Sequence, residues 1–149
     1  MSSDTSTLME NPKMKTINAL LLDDARTIAA AAEAEARANG WAVSIAICDA
    51  GGHALWLQRM DGAPLMSAQV APEKARTCVL TGKPSKAFED MVNNGRFAAL
   101  SMPVVPLEGG EPIVVDGVVI GAVGVSGVKA GEDAQVARAG IAALAGTAA

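Results

Sequence analysis

Hairpin-like strand pairs alternate with helical stretches along this chain. That alternation predicts an α/β fold of the α+β kind, a mainly antiparallel sheet with helices packed on it. Two further observations agree. The 149 residues suffice for one domain with one core, half of them apolar and 19% charged. The strand segments alternate as a sheet demands, while the segments between them repeat at helical spacing. The expected order is α-β-β-α-α-β-β-α, with room for one more strand around residues 100–105.

Residues 1–14 read as a flexible N-terminal arm and 15–149 as the domain. Residues 1–15 are polar and carry Asp4 and Glu10, without the apolar stretch of a signal peptide. From Thr16 the spacing predicts a helix: Ile17, Leu21, Ile28 and Ala32 recur on one face, widened by Leu20 and Leu22. The alanines 29–32 favour helix strongly, and Asn39-Gly40 supplies its left-handed stop. Residues 41–49 predict a strand with bulky Val43, Ile45 and Ile47 on one face. Ala42, Ser44, Ala46 and Cys48 lie on the other, so both faces should be covered. After Ala50-Gly51-Gly52 the chain returns over residues 53–60, with His53, Leu55, Leu57 and Arg59 sharing a face.

The break at residues 61–64 precedes a helix from Leu65 or from Pro72 to Leu80, stopped by Gly82 and Pro84. Ser85 reads as N-cap of a short helix ending near Asn94-Gly95. Pro103, Pro106 and Gly109-Gly110 mark an irregular stretch. Asp116-Gly117 then joins strands 113–115 and 118–126 as a tight hairpin. A last helix begins at Gly131-Glu132-Asp133, its acids suited to the positive helix end.

Composition narrows the function. The net charge is −4, and the 12 Lys and Arg form no basic cluster, which argues against nucleic acid. No apolar run reaches the roughly 18–20 residues of a membrane span. One histidine and no tyrosine exclude a three-His zinc site within one chain. Cys48 and Cys78 lack CxxC spacing and read as reduced thiols of a cytoplasmic protein.

No GxGxxG opens a helix and no GxxxxGK[ST] occurs, so the glycines of residues 109–127 read as close backbone approaches before phosphate binders. His53 is either a hydrogen-bonded turn histidine or an axial ligand to heme iron, which needs only one imidazole. Arg59, Asp61, Lys74 and Glu111 form the sharper set. Two cations could hold a carboxylate, with Glu111 as general acid or base. Alternatively, Arg59 pairs with Asp61 at the turn, and Glu73 and Lys74 lie on a solvated face.

Several motifs in order carry a resemblance across roughly residues 15–145. They are Asp49-Ala50-Gly51-Gly52, Arg59-Met60-Asp61-Gly62-Ala63, Lys74-Ala75, Asn94-Gly95-Arg96, Gly109-Gly110-Glu111-Pro112-Ile113, and the run from Gly121 to Gly127. The chain resembles the GlcG/HbpS-like family, which includes the C-terminal domain of PduO-type cobalamin adenosyltransferases. The resemblance implies a profilin- and roadblock-like sandwich with a five-stranded antiparallel sheet, assembled as dimers or larger homo-oligomers. It also implies heme as the first ligand; the family has no one agreed iron-ligand position, and the residues themselves offer Arg59, Met60, Asp61, Lys74 and Glu111 about the pocket and His53 or Met60 as candidates for the iron. The second function it implies is an isomerase- or lyase-type enzyme on a small carboxylated metabolite, with Glu111 and Lys74 catalytic. The third is an accessory subunit without catalysis. Two positions depart from the family pattern: Glu111 stands where a small apolar residue is usual, and Val128-Lys129-Ala130-Gly131 replaces a glycine-threonine-proline-like connection.

Overall fold

The computed structural model describes residues 13–145, so most of the expected N-terminal arm lies outside the described residues. The elements are α1 (Leu22–Ala38), β1 (Ser44–Asp49), β2 (Ala54–Arg59), α2 (Ser67–Thr81), α3 (Lys86–Asn93), a 3₁₀ turn (Phe97–Ser101), β3 (Gly110–Val115), β4 (Val118–Ser126) and α4 (Ala130–Ala145). The four strands form one sheet in the order β2-β1-β4-β3, antiparallel at every pairing. Helices α1 and α4 cover one face and α2 the other.

The two faces differ as the alternation in β1 predicts. Ile45 and Ile47 join Ile28, Ala32, Val123, Val125 and Val136 in the larger core, beneath α1 and α4. Cys48 joins Ala75, Cys78 and Ala122 in a smaller one, beneath α2. Small residues on that second face let α2 lie against the sheet itself. A Cβ on Gly110 would strike the Lys74 carbonyl and come within 2.8 Å of Cys78 Sγ; one on Gly124 would strike the Ala71 carbonyl. These glycines are close approaches, as expected.

The Asp116-Gly117 hairpin is also as expected: both residues take positive φ, 50° and 76°, the geometry of a two-residue turn that matches strand twist. Ile113 and Val114 flank a register shift in the β3–β4 ladder. It lets neighbouring Ile120 and Gly121 both meet the α1/α4 side of the sheet, Gly121 against Leu20.

Three expectations need correction, and one left open is decided. The first helix starts at Leu22, not Thr16. Asp24 receives the Leu21 N–H (2.8 Å) and fixes the start there, while Ile17 and Leu21 are exposed. Of the two starts the sequence left open for the next helix, the structure takes the earlier: α2 begins at Ser67, and Pro72 sits inside it without the N–H that would reach the Ala68 carbonyl. Ser85 occupies the N-cap position of α3, yet its hydroxyl accepts the Gly110 N–H (2.8 Å) and ties the start of β3 instead. No fifth strand forms among the described residues. Residues 97–101 wind into the 3₁₀ turn, Pro103 and Pro106 have no N–H to give a ladder, and the Val105 N–H goes to Thr77 Oγ1 (2.9 Å). No helix among the described residues is long and apolar enough to cross a membrane.

Candidate functional site

The turn between β1 and β2 is built around Asp49. Its Oδ1 accepts the N–H groups of Gly51 (2.9 Å) and His53 (3.0 Å). Its own N–H donates to the His53 carbonyl (2.9 Å), and its carbonyl accepts the Gly52 N–H (3.0 Å). Four hydrogen bonds therefore hold four residues, and Gly52 takes the positive φ of 82° that the turn requires. The exposed His53 ring lies against Gly51: a Cβ there would sit 3.1 Å from Cδ2 and 3.5 Å from Nε2.

Gly51 also lines a cleft of about 270 Å³ whose apolar wall is Ile17, Leu20, Leu55 and Ile120. The extended segment before α1 forms one side of it. A second opening, about 380 Å³, lies across that segment and shares Leu20 and Ile120. The chain's single imidazole thus stands on a hydrogen-bonded turn, against Gly51 at the rim of a cleft that Asn18 and Asp49 also line.

The other expected site residues are scattered. Arg59 ends β2 opposite Ser44 and is exposed. With β2 rising about 3.3 Å per residue, it stands roughly 20 Å from His53. Asp61 is exposed in the following turn, and no ion pair joins it to Arg59 among the described residues. Met60 is buried in the larger core, its N–H on the Val43 carbonyl (3.0 Å).

Lys74 does not lie on a solvated face. It is 4% exposed, with Nζ on Asp133 Oδ2 (3.1 Å) and the Val125 carbonyl (2.9 Å). The Asp133 Oδ1 accepts the Val128 N–H (3.1 Å). Burial pushes the Asp133 carboxyl up, against the pull of the Lys74 ammonium and the Val128 amide. Gly109 makes room for this bridge, since a Cβ there would meet Lys74 Nζ at 2.6 Å.

Glu111 sits on β3, the edge opposite β2, and its Oε1 accepts from Arg138 of α4 (3.1 Å). Burial raises its carboxyl above the ordinary range, opposed by Arg138. The two thiols are sealed under α2, and desolvation pushes Cys48 up to about 11 and Cys78 to about 12. No group of three or more metal-ligating side chains occurs among the described residues.

Sequence reasoning missed three participants. Asp49 had a local signal, an acid just before a glycine pair. Asp133 was placed for its effect on a helix end, but its partner Lys74 lies 59 residues away and is invisible locally. Arg76 touches the turn at Gly52: a Cβ there would lie 3.2 Å from Arg76 Cγ.

A three-layer α+β sandwich, with one helix on one face of an antiparallel sheet and two on the other, is the class this chain falls in. It belongs to the HbpS-like family, whose model, described as haem degrading protein HbpS-like, matches residues 20–142. Protein GlcG of Escherichia coli K12 is 51% identical over 114 residues, 76% of this chain and 85% of GlcG. The corrinoid adenosyltransferase PduO of Salmonella typhimurium is 32% identical over 131 residues, 85% of this chain but 39% of PduO. Among solved structures, a PduOC:heme complex superposes with a TM-score of 0.77 at 32% identity, covering 85% of this chain and 95% of that one. A Streptomyces reticuli HbpS double mutant gives 0.80 at 31% identity, covering 91% and 93%. Klebsiella pneumoniae protein ORFY gives 0.83 at 28%, covering 91% and 97%.

Proposed function

We propose that this chain is a heme-binding protein, in which His53, at the rim of the cleft beside the β1–β2 turn, would hold the iron. One observation carries the reading: the chain's only imidazole stands on a hydrogen-bonded turn, against Gly51 at the rim of a cleft whose wall is mostly apolar, with Asn18 and Asp49 its polar members. The likeness to the PduOC:heme complex supports it.

The donor set fits the group. Heme takes one imidazole and an apolar wall, and Ile17, Leu20, Leu55 and Ile120 provide the wall. At about 270 Å³ the cleft lies near the ~300 Å³ lower bound of ligand cavities, so it holds part of a macrocycle and leaves the rest uncovered. Bound heme would supply a Soret band from its macrocycle and redox chemistry from its iron. The chain's own part is to present His53, exclude water from the apolar wall and fix the turn through Asp49. The reading includes a homo-oligomer, in keeping with the exposed Leu57, Leu65, Met66 and Phe97, and a reducing cytoplasm, in keeping with two unbridged thiols.

The proton-transfer alternative needs Glu111, Arg59 and Lys74 around one cavity. Arg59 and Glu111 lie on opposite sheet edges, and the Lys74 ammonium is already bonded to Asp133. No observation favours it.

Protein purified from cells supplied with iron and a heme precursor is expected to show a stoichiometric Soret band that shifts or vanishes in His53→Ala. A colourless protein, or a band indifferent to the substitution, would overturn the reading.

A further inference from the structure

Resting on the heme reading, we propose that Asp49 decides which edge of the macrocycle enters the cleft. The edge that carries only methyl and vinyl groups goes in, and the edge with the two propionates stays in solvent. His53 stands at the rim and the cleft measures about 270 Å³, so one edge of the macrocycle enters and the rest stays outside. The imidazole and the Asp49 carboxylate flank the same glycine: a Cβ on Gly51 would lie 3.1 Å from His53 Cδ2 and 3.4 Å from Asp49 Oδ1. Whatever the imidazole holds therefore meets the charge of Asp49.

The charges about the cleft are all of one sign. Asp49 and Asn18 are its polar side chains, and no lysine, arginine or histidine lines it. Asp49 Oδ1 is committed to the Gly51 and His53 N–H groups, while Oδ2 takes no hydrogen bond among the described residues. The second opening, across the segment before α1, adds Asp24 and again no cation. Nearby basic groups are engaged elsewhere: Lys74 is sealed against Asp133, Arg138 meets Glu111, and Arg76 lies on the α2 face nearest Glu73. A propionate pushed into this cleft would leave water, meet a second carboxylate and find no cation. Like charges that share a partly desolvated site repel, and no charge-assisted hydrogen bond offsets the lost hydration. Methyl and vinyl groups lose nothing by entering, and they cover Ile17, Leu20, Leu55 and Ile120.

The test titrates the full chain with heme and with an iron porphyrin in which sulfonates replace both vinyl groups, following the Soret band. That analogue has no uncharged edge to offer, so wild type should bind it at least about 10-fold more weakly than heme. Asp49→Asn keeps an oxygen for the two N–H bonds of the turn and removes the charge, so the ratio of the two dissociation constants should shrink. Asn18→Asp, at an exposed position, adds a second carboxylate and should widen it. Added salt should narrow the wild-type ratio. Equal wild-type affinities for heme and analogue would mean that the propionates enter, and would overturn the proposal. A ratio that Asp49→Asn leaves unchanged would overturn it too. If Asp49→Asn lowers the melting temperature, Asn18→Asp carries the test, and a ratio that it does not widen overturns the proposal. In each case a heme band lost in His53→Ala keeps the heme reading. A wild type that binds neither porphyrin overturns both.

Discussion

Lys74 and Asp133 are both nearly sealed from solvent, and each has further backbone partners in Val125 and Val128. The pair joins α2 on one face to the start of α4 on the other, around the end of the sheet that Gly109 leaves open. Removing one partner leaves a buried charge without compensation. Lys74→Met should therefore lower stability by about 3–5 kcal/mol, read as a fall in the urea midpoint. Lys74→Met/Asp133→Asn should recover part of that loss, because Asn keeps an acceptor for the Val128 N–H without the charge. A single variant as stable as wild type would mean that the bridge does not hold the layers. Residue identity alone pointed to Lys74, His53 and Glu111 as chemically interesting. It could not show that Lys74 pairs across 59 positions, or that Arg59 and Glu111 stand on opposite edges, since those facts belong to long-range packing.

At the scale of elements, the glycines decide how closely α2 rides on the sheet. Gly124 meets the helix backbone with no side chain between them, and backbone cannot swing aside as a flexible side chain would. Gly124→Ala should push α2 outward and cost at least about 1–3 kcal/mol. Gly131→Ala adds its methyl to open space in the first turn of α4, and should be neutral or stabilising by up to ~1 kcal/mol. Paired urea titrations check both, and a Gly124→Ala variant that matches wild type would refute the close-packing account. Local signals made the hairpins, the Asp116-Gly117 turn and the glycine approaches legible. They misplaced the start of α1 because Ile17 and Leu21 happen to share a helical spacing with Ile28. Only the Asp24 bond to Leu21 N–H shows where the helix begins.

Over the whole molecule, the element order and antiparallel character follow from sequence, but the strand order does not. Each hairpin is a local event, whereas β1 pairs with β4 through Ser44 and Ser126, contacts that no short window contains. That pairing makes one continuous sheet with a single helix on one face, and Cys48 of β1 and Cys78 of that helix bury their thiols between the two. Alkylating reagents attack thiolates, and these thiols are buried and titrate near 11 and 12. At neutral pH their labelling must wait for α2 to lift from β1 and β4. Cys48 and Cys78 should react at one common rate, about a thousandfold or more below that of the unfolded chain. Mass spectrometry of timed aliquots measures it, and a faster Cys48 would show the strand fraying without the helix. The buried thiols are in effect a built-in clock for how often one layer of the sandwich comes off while the other stays on.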